Sequence, residues 1–319
     1  MAGITTTTYR DWEIVHLASD VLDVDVVPGK GGDVTSLRWR PLDVDVLWKT
    51  RWGLRPRGEC STAGSSQAQL MQAYPGGWQT VFPNGGDATS EHGVEWGMHG
   101  EAWLAAYDWS PDGDSAVVLS TDLVRSPFSV TKRVSIDGPT VSVAETVTNT
   151  GAVPIDVMWS QHPALGAPLV GPQTRVEVAA ATVHTTDLAA GAWPTLPDTG
   201  EDLRQLPGPR SGVSRLAFLA DFTDGHAAVV NDSLGLRADL TWDAARMPYA
   251  WYWLEAGGVS GFPWYSEAYV LAVEPATSWP AAGVTGVRRT TGTHVTIEAG
   301  ETRTSTVSLT LSGIGGRNE

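Results

Sequence analysis

The chain has 319 residues and a formal net charge of −15. Nucleic acids and anionic membranes attract basic patches, so such an acidic chain favours neither as a partner. Its one cysteine, Cys60, excludes a disulfide within the chain, and the N-terminal stretch has no basic segment followed by an apolar one. No apolar run is long enough to cross a bilayer, and we therefore expect a cytoplasmic protein.

The composition favours strands and turns over helices. The 35 glycines and 20 prolines predict many turns, and only 21 Lys plus Arg are available for amphipathic helices. The 15 tryptophans outnumber the 5 phenylalanines and 7 tyrosines. An indole packs well against a sugar ring, but it is also a common core residue of β-sandwiches, so both uses stay open.

The first sixty residues contain three short runs in which apolar and polar residues alternate, at 12–16, 21–27 and 34–39. Alternation with a period of two predicts β-strands, and Pro-Gly-Lys-Gly-Gly at 28–32 predicts a turn between the second and third. Residues 53–73 are polar and rich in Gly and Ser, so we expect a loop there.

The rest of the chain continues the same pattern. Further strands are predicted at 116–121, 129–136, 140–149, 156–162, 227–231, 236–242, 247–255, 269–273, 294–298 and 303–311. Residues 163–215 are rich in loops, no compositional linker divides the chain, and no segment has the pattern of a long helix. The prediction is an all-β fold, a large antiparallel β-sandwich in which residues 1–319 form one domain.

Glu274 ends an apolar strand. The run Tyr269-Val-Leu-Ala-Val precedes it and Pro275 follows it. Because side chains alternate along a strand, Glu274 shares a face with Val270 and Ala272, and a carboxylate on an apolar face is costly unless a polar group meets it. A structural ion pair and a catalytic role are both open, and we favour catalysis.

Two histidines stand in comparable settings. His162 ends the apolar strand at 156–162 and precedes Pro163, while His99 precedes Gly100, where a backbone can approach a ligand closely. Each has a simpler structural interpretation, His162 as a satisfied buried histidine and His99 as a turn residue.

A carboxylate and an imidazole suit the opening of a sugar ring. Opening a pyranose removes the proton of the C1 hydroxyl while the ring oxygen is protonated, so one group must accept a proton and another must donate one. A carboxylate and an imidazolium fill these roles near neutral pH without a metal or a redox cofactor. The sequence has no Cys and His cluster with zinc spacing and no dinucleotide-binding glycine fingerprint, so we expect no cofactor.

The order of these motifs resembles the aldose 1-epimerase (galactose mutarotase-like) family over most of the chain. The resemblance is carried by Gly76-Gly77-Trp78 to Phe82-Pro83, His99-Gly100, Asn149-Thr150-Gly151 to His162, the aromatic stretch from Trp242 to Trp253, and Val273-Glu274-Pro275. It implies a large antiparallel β-sandwich with a sugar site in a cleft on one sheet, and an enzyme that interconverts sugar anomers. By position it also implies Glu274 as general base, His162 as general acid and His99 as a substrate-binding residue.

The chain departs from the family pattern at two arginines. Relatives often carry one near the Gly-Gly motif and another shortly after His-Gly, where this chain has Tyr74 and Glu101-Ala102-Trp103. A phosphorylated sugar would need guanidinium contacts, so the sequence favours a small neutral sugar as ligand. The candidates for binding its hydroxyls or stacking on its ring are Gln79, Asn84, Asp87, Trp78 and Asp243. Turn, cap or core positions are the simpler interpretations of several of them.

Two other functions stay open. The missing arginines and the many tryptophans also suit a non-catalytic carbohydrate-binding or regulatory protein on the same scaffold. This scaffold hosts several chemistries, so an enzyme acting on a glycoside or a modified sugar is a further interpretation. In each case we expect a monomer or a homodimer. The preferred interpretation requires Glu274, His162 and His99 to face a hollow sized for a single hexose.

Overall fold

The structure, a computed structural model, describes residues 3–59 and 64–314. Cys60, on which the disulfide argument rests, lies outside the described residues. Across the described ranges the protein is mostly β-strand, and its two large sheets pack against each other through a common core. The predicted fold class, a large antiparallel β-sandwich, is confirmed. That residues 1–319 form one domain stays a prediction.

The strands of the described residues are, in chain order, β1 (Gly3–Tyr9), β2 (Trp12–Ala18), β3 (Leu22–Val27), β4 (Asp33–Trp39), β5 (Val44–Asp45), β6 (Trp78–Val81), β7 (Thr89–Glu91), β8 (Val94–Trp96), β9 (Asp108–Pro111), β10 (Ala116–Asp122), β11 (Phe128–Asp137), β12 (Thr140–Asn149), β13 (Ile155–Val157), β14 (Ser160–Leu165), β15 (Thr174–Val178), β16 (Thr182–His184), β17 (Ala190–Ala192), β18 (Val213–Ala220), β19 (His226–Asn231), β20 (Leu236–Trp242), β21 (Tyr249–Ala256), β22 (Tyr269–Ala276), β23 (Val295–Ile297) and β24 (Thr302–Gly313). The first sheet has the order β1-β2-β3-β4-β6-β14-β22-β21-β18-β16-β17, with β5 beside β4. The second sheet has the order β15-β19-β20-β24-β12-β11-β10-β9. Two small pairs, β13–β23 and β7–β8, complete the set.

The main core lies between the two sheets. In β12 the residues that face it include Val141, Val143 and Val147 and are buried, while the alternate residues Ser142, Ala144 and Thr146 are partly exposed. Val273 of β22 and Leu309 of β24 come from opposite sheets and line the same narrow gap. The period-two alternation of the sequence thus produces one apolar face on each sheet, and burying the two faces against each other stabilises the sandwich.

The carboxylate of Glu145, buried in this core, fixes strands β6 and β14, which both carry residues of the site described below. Glu145 of β12 accepts hydrogen bonds from Gln161 Nε2 at 2.6 Å, from Trp159 Nε1 at 2.8 Å and from Thr80 Oγ1. The ammonium of Lys132 lies 3.6 Å from its Oε1. A buried charge that is paired and hydrogen-bonded in this way holds its partners in one geometry. Residues adjacent to Thr80 and Gln161 therefore point to the opposite face of the first sheet.

Two α-helices interrupt the strands in the described residues, α1 (Ser66–Ala73) and α2 (Gly283–Thr290), and a 3-10 helix spans Arg40–Leu42. Helix α1 lies inside the predicted loop at 53–73, so that prediction is wrong over its second half. Ser65 begins the helix, since its Oγ accepts a hydrogen bond from the amide of Ala68 at 3.1 Å. Leu70 and Met71 are buried beneath it. None of the described helices is long and apolar enough to cross a membrane.

Candidate active site

Four neighbouring strands of the first sheet, β4, β6, β14 and β22, each place one polar side chain on the face turned away from the second sheet. We call these four side chains the polar row: Asp33, Gln79, His162 and Glu274. All four are buried. Because neighbouring strands lie about 4.8 Å apart, the polar row extends over roughly 14 Å.

The strand registers define the polar row. His162 lies opposite Gln79, and the register of β14 against β22 places His162 opposite Glu274. Residues that are opposite in an antiparallel pair point to the same face of the sheet. At the other end of the polar row, Gln79 Nε2 lies 3.4 Å from Asp33 Oδ2. Segments that are far apart in the sequence therefore converge on one face, as the sequence analysis required.

The centre of the site is the pair formed by His162 and Glu274. Nε2 of His162 lies 3.6 Å from Oε1 of Glu274, and the two residues are only 5% and 2% exposed. Nδ1 of His162 and Oε2 of Glu274 have no hydrogen-bond partner among the described residues. Unpartnered polar atoms in a buried place are costly, so this pair is poorly explained as a structural device alone.

Burial acts on these two groups in opposite directions. Loss of solvation raises the pKa of Glu274 well above its ordinary value, and it lowers the pKa of His162 to about 4 against a smaller opposing effect of a backbone hydrogen bond. These directions favour a protonated Glu274 and a neutral His162. The distribution expected from the sequence was the reverse, an ionised Glu274 and a protonated His162. In either distribution the pair shares one titratable proton, within reach of both groups.

His99 is brought to the same place by an unusual backbone. Its φ of 59° lies in the left-handed region, and its Nδ1 accepts the amide proton of Gly86 at 3.2 Å. The imidazole stacks on Trp103 with centroids 5.0 Å apart, and its centroid lies 6.0 Å from that of His162. Burial, with a smaller contribution from His162, lowers the pKa of His99 to about 3. His99 is therefore neutral and can offer Nε2–H as a donor.

Gly100 allows this position of His99. Its φ is +77°, and a Cβ atom there would lie 2.3 Å from the carbonyl oxygen of Phe82. We expect Gly100→Ala to lower the free energy of unfolding by about 1–3 kcal/mol more than Gly53→Ala, since both positions have positive φ but only Gly100 meets backbone. A Cβ at Gly53 meets nothing within 4 Å. Urea unfolding of the two variants measures the difference, and equal losses would contradict this role of Gly100.

An aromatic cover closes over the pair in this structure. The ring centroids of Trp103, Trp253 and Tyr74 lie 5.3, 5.5 and 5.9 Å from that of His162. Helix α1 packs into the same cluster through its buried apolar side chains. Glu274, His162 and His99 thus meet as predicted, but they lie beneath side chains rather than in an open hollow. A ligand must displace part of this cover.

The other predicted binding residues divide into one that joins the site and several that do not. Gln79 is part of the polar row. Asn84 uses its side chain on backbone, since Nδ2 donates to the carbonyls of Asp87 and Gly97 and Oδ1 accepts from the amide of Val284. Asn84 therefore fixes the loop around His99 and has no free capacity for a sugar.

Trp78, Asp87 and Asp243 are placed differently from the prediction. Trp78 points to the core between the sheets, where its Nε1 donates to Gln161 at 2.8 Å, so no sugar can stack on it. The side chain of Asp87 is exposed. Asp243 lies after β20 in the second sheet, accepts from the amide of Ala245 and pairs with Arg246. It acts as a cap, which was the simpler of its two interpretations.

The sequence analysis missed three residues of the site. Lys30 and Asp33 form a buried ion pair at one end of the polar row, although 28–32 had the appearance of a plain turn. Tyr74 was noted only as a departure from the family pattern. Burial, with smaller contributions from Glu274 and Asp33, raises the pKa of its phenol well above the ordinary value. Its ring centroid lies 5.9 Å from that of His162. The sequence signal that could have identified the ion pair is the arrangement of Lys30 and Asp33 on either side of two glycines.

The fold is that of the galactose mutarotase-like proteins. A galactose mutarotase-like protein from Clostridium acetobutylicum matches with a TM-score of 0.72 at 14% identity, over 98% of this chain and 99% of that one. The Slr1438 protein from Synechocystis sp. PCC 6803 gives 0.70 at 14% identity, over 98% of both chains. The galactose mutarotase related enzyme from Lactobacillus acidophilus gives 0.67 at 11% identity, over 94% and 97%. At these identities the likeness establishes the fold, and it confirms the resemblance drawn from the motifs.

Sequence similarity places the chain in a family that carries no functional name. Residues 10–311 match the model of a domain of unknown function, DUF4432, and the chain belongs to that family. No curated protein matches the chain. Its chemistry must therefore be argued from the polar row and its surroundings.

Proposed function

We propose that the protein is a cofactor-independent enzyme of the aldose 1-epimerase type, which interconverts the anomers of a neutral sugar through Glu274 and His162. The observation that carries the proposal is the buried pair itself. Its facing atoms lie 3.6 Å apart, and each residue also has an unpartnered polar atom. Such perturbed and unsatisfied groups are typical of functional sites.

The pair can perform ring opening with a single proton. One member takes the proton of the C1 hydroxyl, the other gives a proton to the ring oxygen, the C1–O5 bond breaks and C1 becomes an aldehyde. Rotation about C1–C2 and attack of the O5 hydroxyl on the other face of the aldehyde return the opposite anomer. The resemblance assigns the accepting role to Glu274 and the donating role to His162. That assignment requires the ion-pair form, which hydroxyls bound at the unpartnered atoms stabilise.

The surroundings of the pair suit a ligand rich in hydroxyl groups. Polar atoms without a partner among the described residues include Asp33 Oδ1, Gln79 Oε1, Tyr74 Oη and Trp103 Nε1, all buried. Sugar hydroxyls donate and accept hydrogen bonds, so one sugar can satisfy several of these atoms at once. His99 Nε2–H is a further donor, and the indole faces around His162 offer stacking surfaces.

Polarimetry on freshly dissolved aldoses tests the proposal. A panel of the pure anomers of glucose, galactose, mannose and xylose should include at least one sugar whose mutarotation accelerates in proportion to enzyme concentration. Mass spectrometry of the same samples should give an unchanged mass. A protein that folds normally but accelerates none of the panel would contradict the proposed reaction.

A non-catalytic sugar-binding function is the second candidate, and one observation favours it. The three central side chains are at most 8% exposed, so the site is closed in this structure. A closed site suits retention of a ligand as well as turnover. In that case sugars would bind saturably without faster mutarotation, and His162→Ala would change the affinity only.

A further inference from the structure

The Asp33 end of the polar row, remote from Glu274, has polar groups that could bind a second part of the ligand. Lys30 and Asp33 lie at the turn into β4, and the Lys30 ammonium contacts Asp33 Oδ2. Both side chains are at most 5% exposed. Only one carboxylate oxygen takes part, because Oδ1 of Asp33 has no partner among the described residues. A pair that served structure alone would leave no buried acceptor of this kind unsatisfied.

Gln79 connects this ion pair with the catalytic end. Its Nε2 donates to the carbonyl of Gly76 at 2.6 Å and lies 3.4 Å from Asp33 Oδ2, which fixes the orientation of the amide. Its Oε1 consequently points away from these partners and, within the described residues, is unpartnered. Gln79 lies opposite His162 in the neighbouring strand. Two buried acceptors, Asp33 Oδ1 and Gln79 Oε1, therefore lie next to the acid/base pair along the polar row.

The aromatic cover extends over this end of the polar row through Trp103. The Lys30 ammonium lies 5.7 Å from the ring centroid of Trp103, whose ring also stacks with His99. The ring centroid of Trp103 also lies 5.3 Å from that of His162, so Trp103 lies between Lys30 and His162, and a sugar beneath it would be near both.

We propose that Asp33, Gln79 and Lys30 form a hydroxyl-binding subsite for the part of the sugar remote from C1, and that this subsite selects a neutral sugar with two adjacent free hydroxyls. The subsite rests on the proposed function in one respect, that C1 lies over His162 and Glu274. Asp33 Oδ1 accepts from one hydroxyl and Gln79 Oε1 accepts from its neighbour, while Lys30 holds the carboxylate in place. A phosphate at this end would bring negative charge against two acceptors, Asp33 Oδ1 and Gln79 Oε1, and the ammonium of Lys30 is already paired.

Adjacent acceptors discriminate strongly among sugars. A hydroxyl that is missing or methylated leaves a buried acceptor unpaired, and the loss is larger for a charged acceptor. We expect removal of the hydroxyl at one position to lower affinity roughly 10- to 100-fold, and removal of its neighbour to have a similar effect. Removal of a hydroxyl that faces the aromatic cover should change affinity less than about threefold, because the loss of a weak surface contact has only a small effect.

The experiment uses sugars that cannot undergo the reaction. The probes are 1,5-anhydroglucitol, 1,5-anhydrogalactitol and 1,5-anhydromannitol, with the monodeoxy derivatives of the tightest binder, measured by calorimetry on the wild-type chain. These compounds lack the C1 hydroxyl, so they report the subsite independently of anomer exchange. Two sensitive, adjacent positions are expected. An equal affinity for all deoxy derivatives, or no binding of any probe, would overturn the subsite.

Two variants assign the sensitive positions. Gln79→Leu removes one acceptor. The loss of affinity caused by removing one of the two sensitive hydroxyls should therefore disappear, while the loss at the other hydroxyl remains. The double change Asp33→Asn with Lys30→Met removes the charged acceptor together with its cation, and the penalty at the second position should fall. Asp137→Asn, an exposed change at the end of β11, is the control for lost charge. Penalties that persist in both variants would refute the assignment, and the wild-type series decides the question if either variant fails to fold.

The outcomes separate the subsite from the reaction. Probe binding with two sensitive positions but no acceleration of mutarotation on any aldose would sustain the subsite and reject the proposed enzyme. Acceleration of mutarotation with a flat deoxy series would sustain the enzyme and reject the subsite.

Discussion

Glu274→Gln is expected to remove the enzyme-dependent part of anomer exchange. Glutamine has nearly the same shape as glutamate, but it can neither take the proton of the C1 hydroxyl nor return it. One such proton transfer contributes typically ~10²–10⁴-fold, so a loss of that order is expected in the exchange rate. NMR magnetisation exchange between the α and β H1 signals measures it. Glu298→Gln, at an exposed glutamate far along the chain, is the matched control and should retain full activity.

The same substitution is expected to make the protein more stable. Because burial raises the pKa of Glu274 in the folded chain, the unfolded chain releases this proton at lower pH than the folded chain does. The stability that the protonated form contributes is present below the unfolded pKa and is lost as pH rises through the folded pKa. The glutamine side chain of the variant does not titrate, so the variant should gain more stability over wild type at about pH 8 than at about pH 4.5. Urea unfolding at both values measures the gain, and a loss of stability at the higher pH would contradict it.

His162→Asn is expected to reduce anomer exchange as strongly as the change at Glu274. Asparagine keeps a polar side chain in the strand but cannot shuttle a proton. If the two groups act as one pair, the double variant should be no slower than either single variant. His92→Asn, a change at an exposed imidazole, is the control. Multiplying losses in the double variant would mean that the two residues act independently.

His162→Asn should also flatten the loss of stability in acid. The pKa of His162 is lowered from 6.5 to about 4 in the folded chain, so below pH 6.5 the unfolded chain binds a proton that the folded chain does not. Wild type therefore loses stability as pH falls from 6.5 to about 4. At about 1.4 kcal/mol per unit, the contribution of His162 is roughly 3 kcal/mol. In the variant, the difference between the unfolding free energies at these two pH values should be smaller than in wild type by this amount. The difference that remains in the variant includes the contribution of His99, whose pKa is also lowered.

The central pair was predictable because its signals are local. Glu274 and His162 each follow an apolar run and precede a proline, and alternation fixes the face on which each side chain lies. The predicted strand ends are wrong, because β14 and β22 both continue past the proline. The registers of β14 and β22 then place the two residues opposite each other. His99 was found through Gly100, whose positive φ and close approach to Phe82 explain why glycine stands there.

The remaining contacts depend on packing that no local pattern reveals. Lys30 lies in a glycine-rich turn, and no local pattern indicates that its side chain is buried beside Asp33 and Trp103. Trp78 was a candidate for stacking on a sugar, with a core position as its simpler interpretation, and its place in the strand directs it to the core. Helix α1 has just two buried apolar residues, too few to stand out in a polar stretch, and tertiary packing over the site stabilises it.

The most direct test of the account is the protonation state of Glu274 in the free protein. Carbon-13 NMR of glutamate carboxyl groups, with the Glu274 signal identified by its absence from Glu274→Gln, reports whether that carboxyl is protonated. The account predicts a protonated Glu274 at about pH 5, where an exposed glutamate is ionised, because burial disfavours the carboxylate. A signal that titrates at the ordinary glutamate value would contradict the buried, proton-sharing pair on which the proposed chemistry depends.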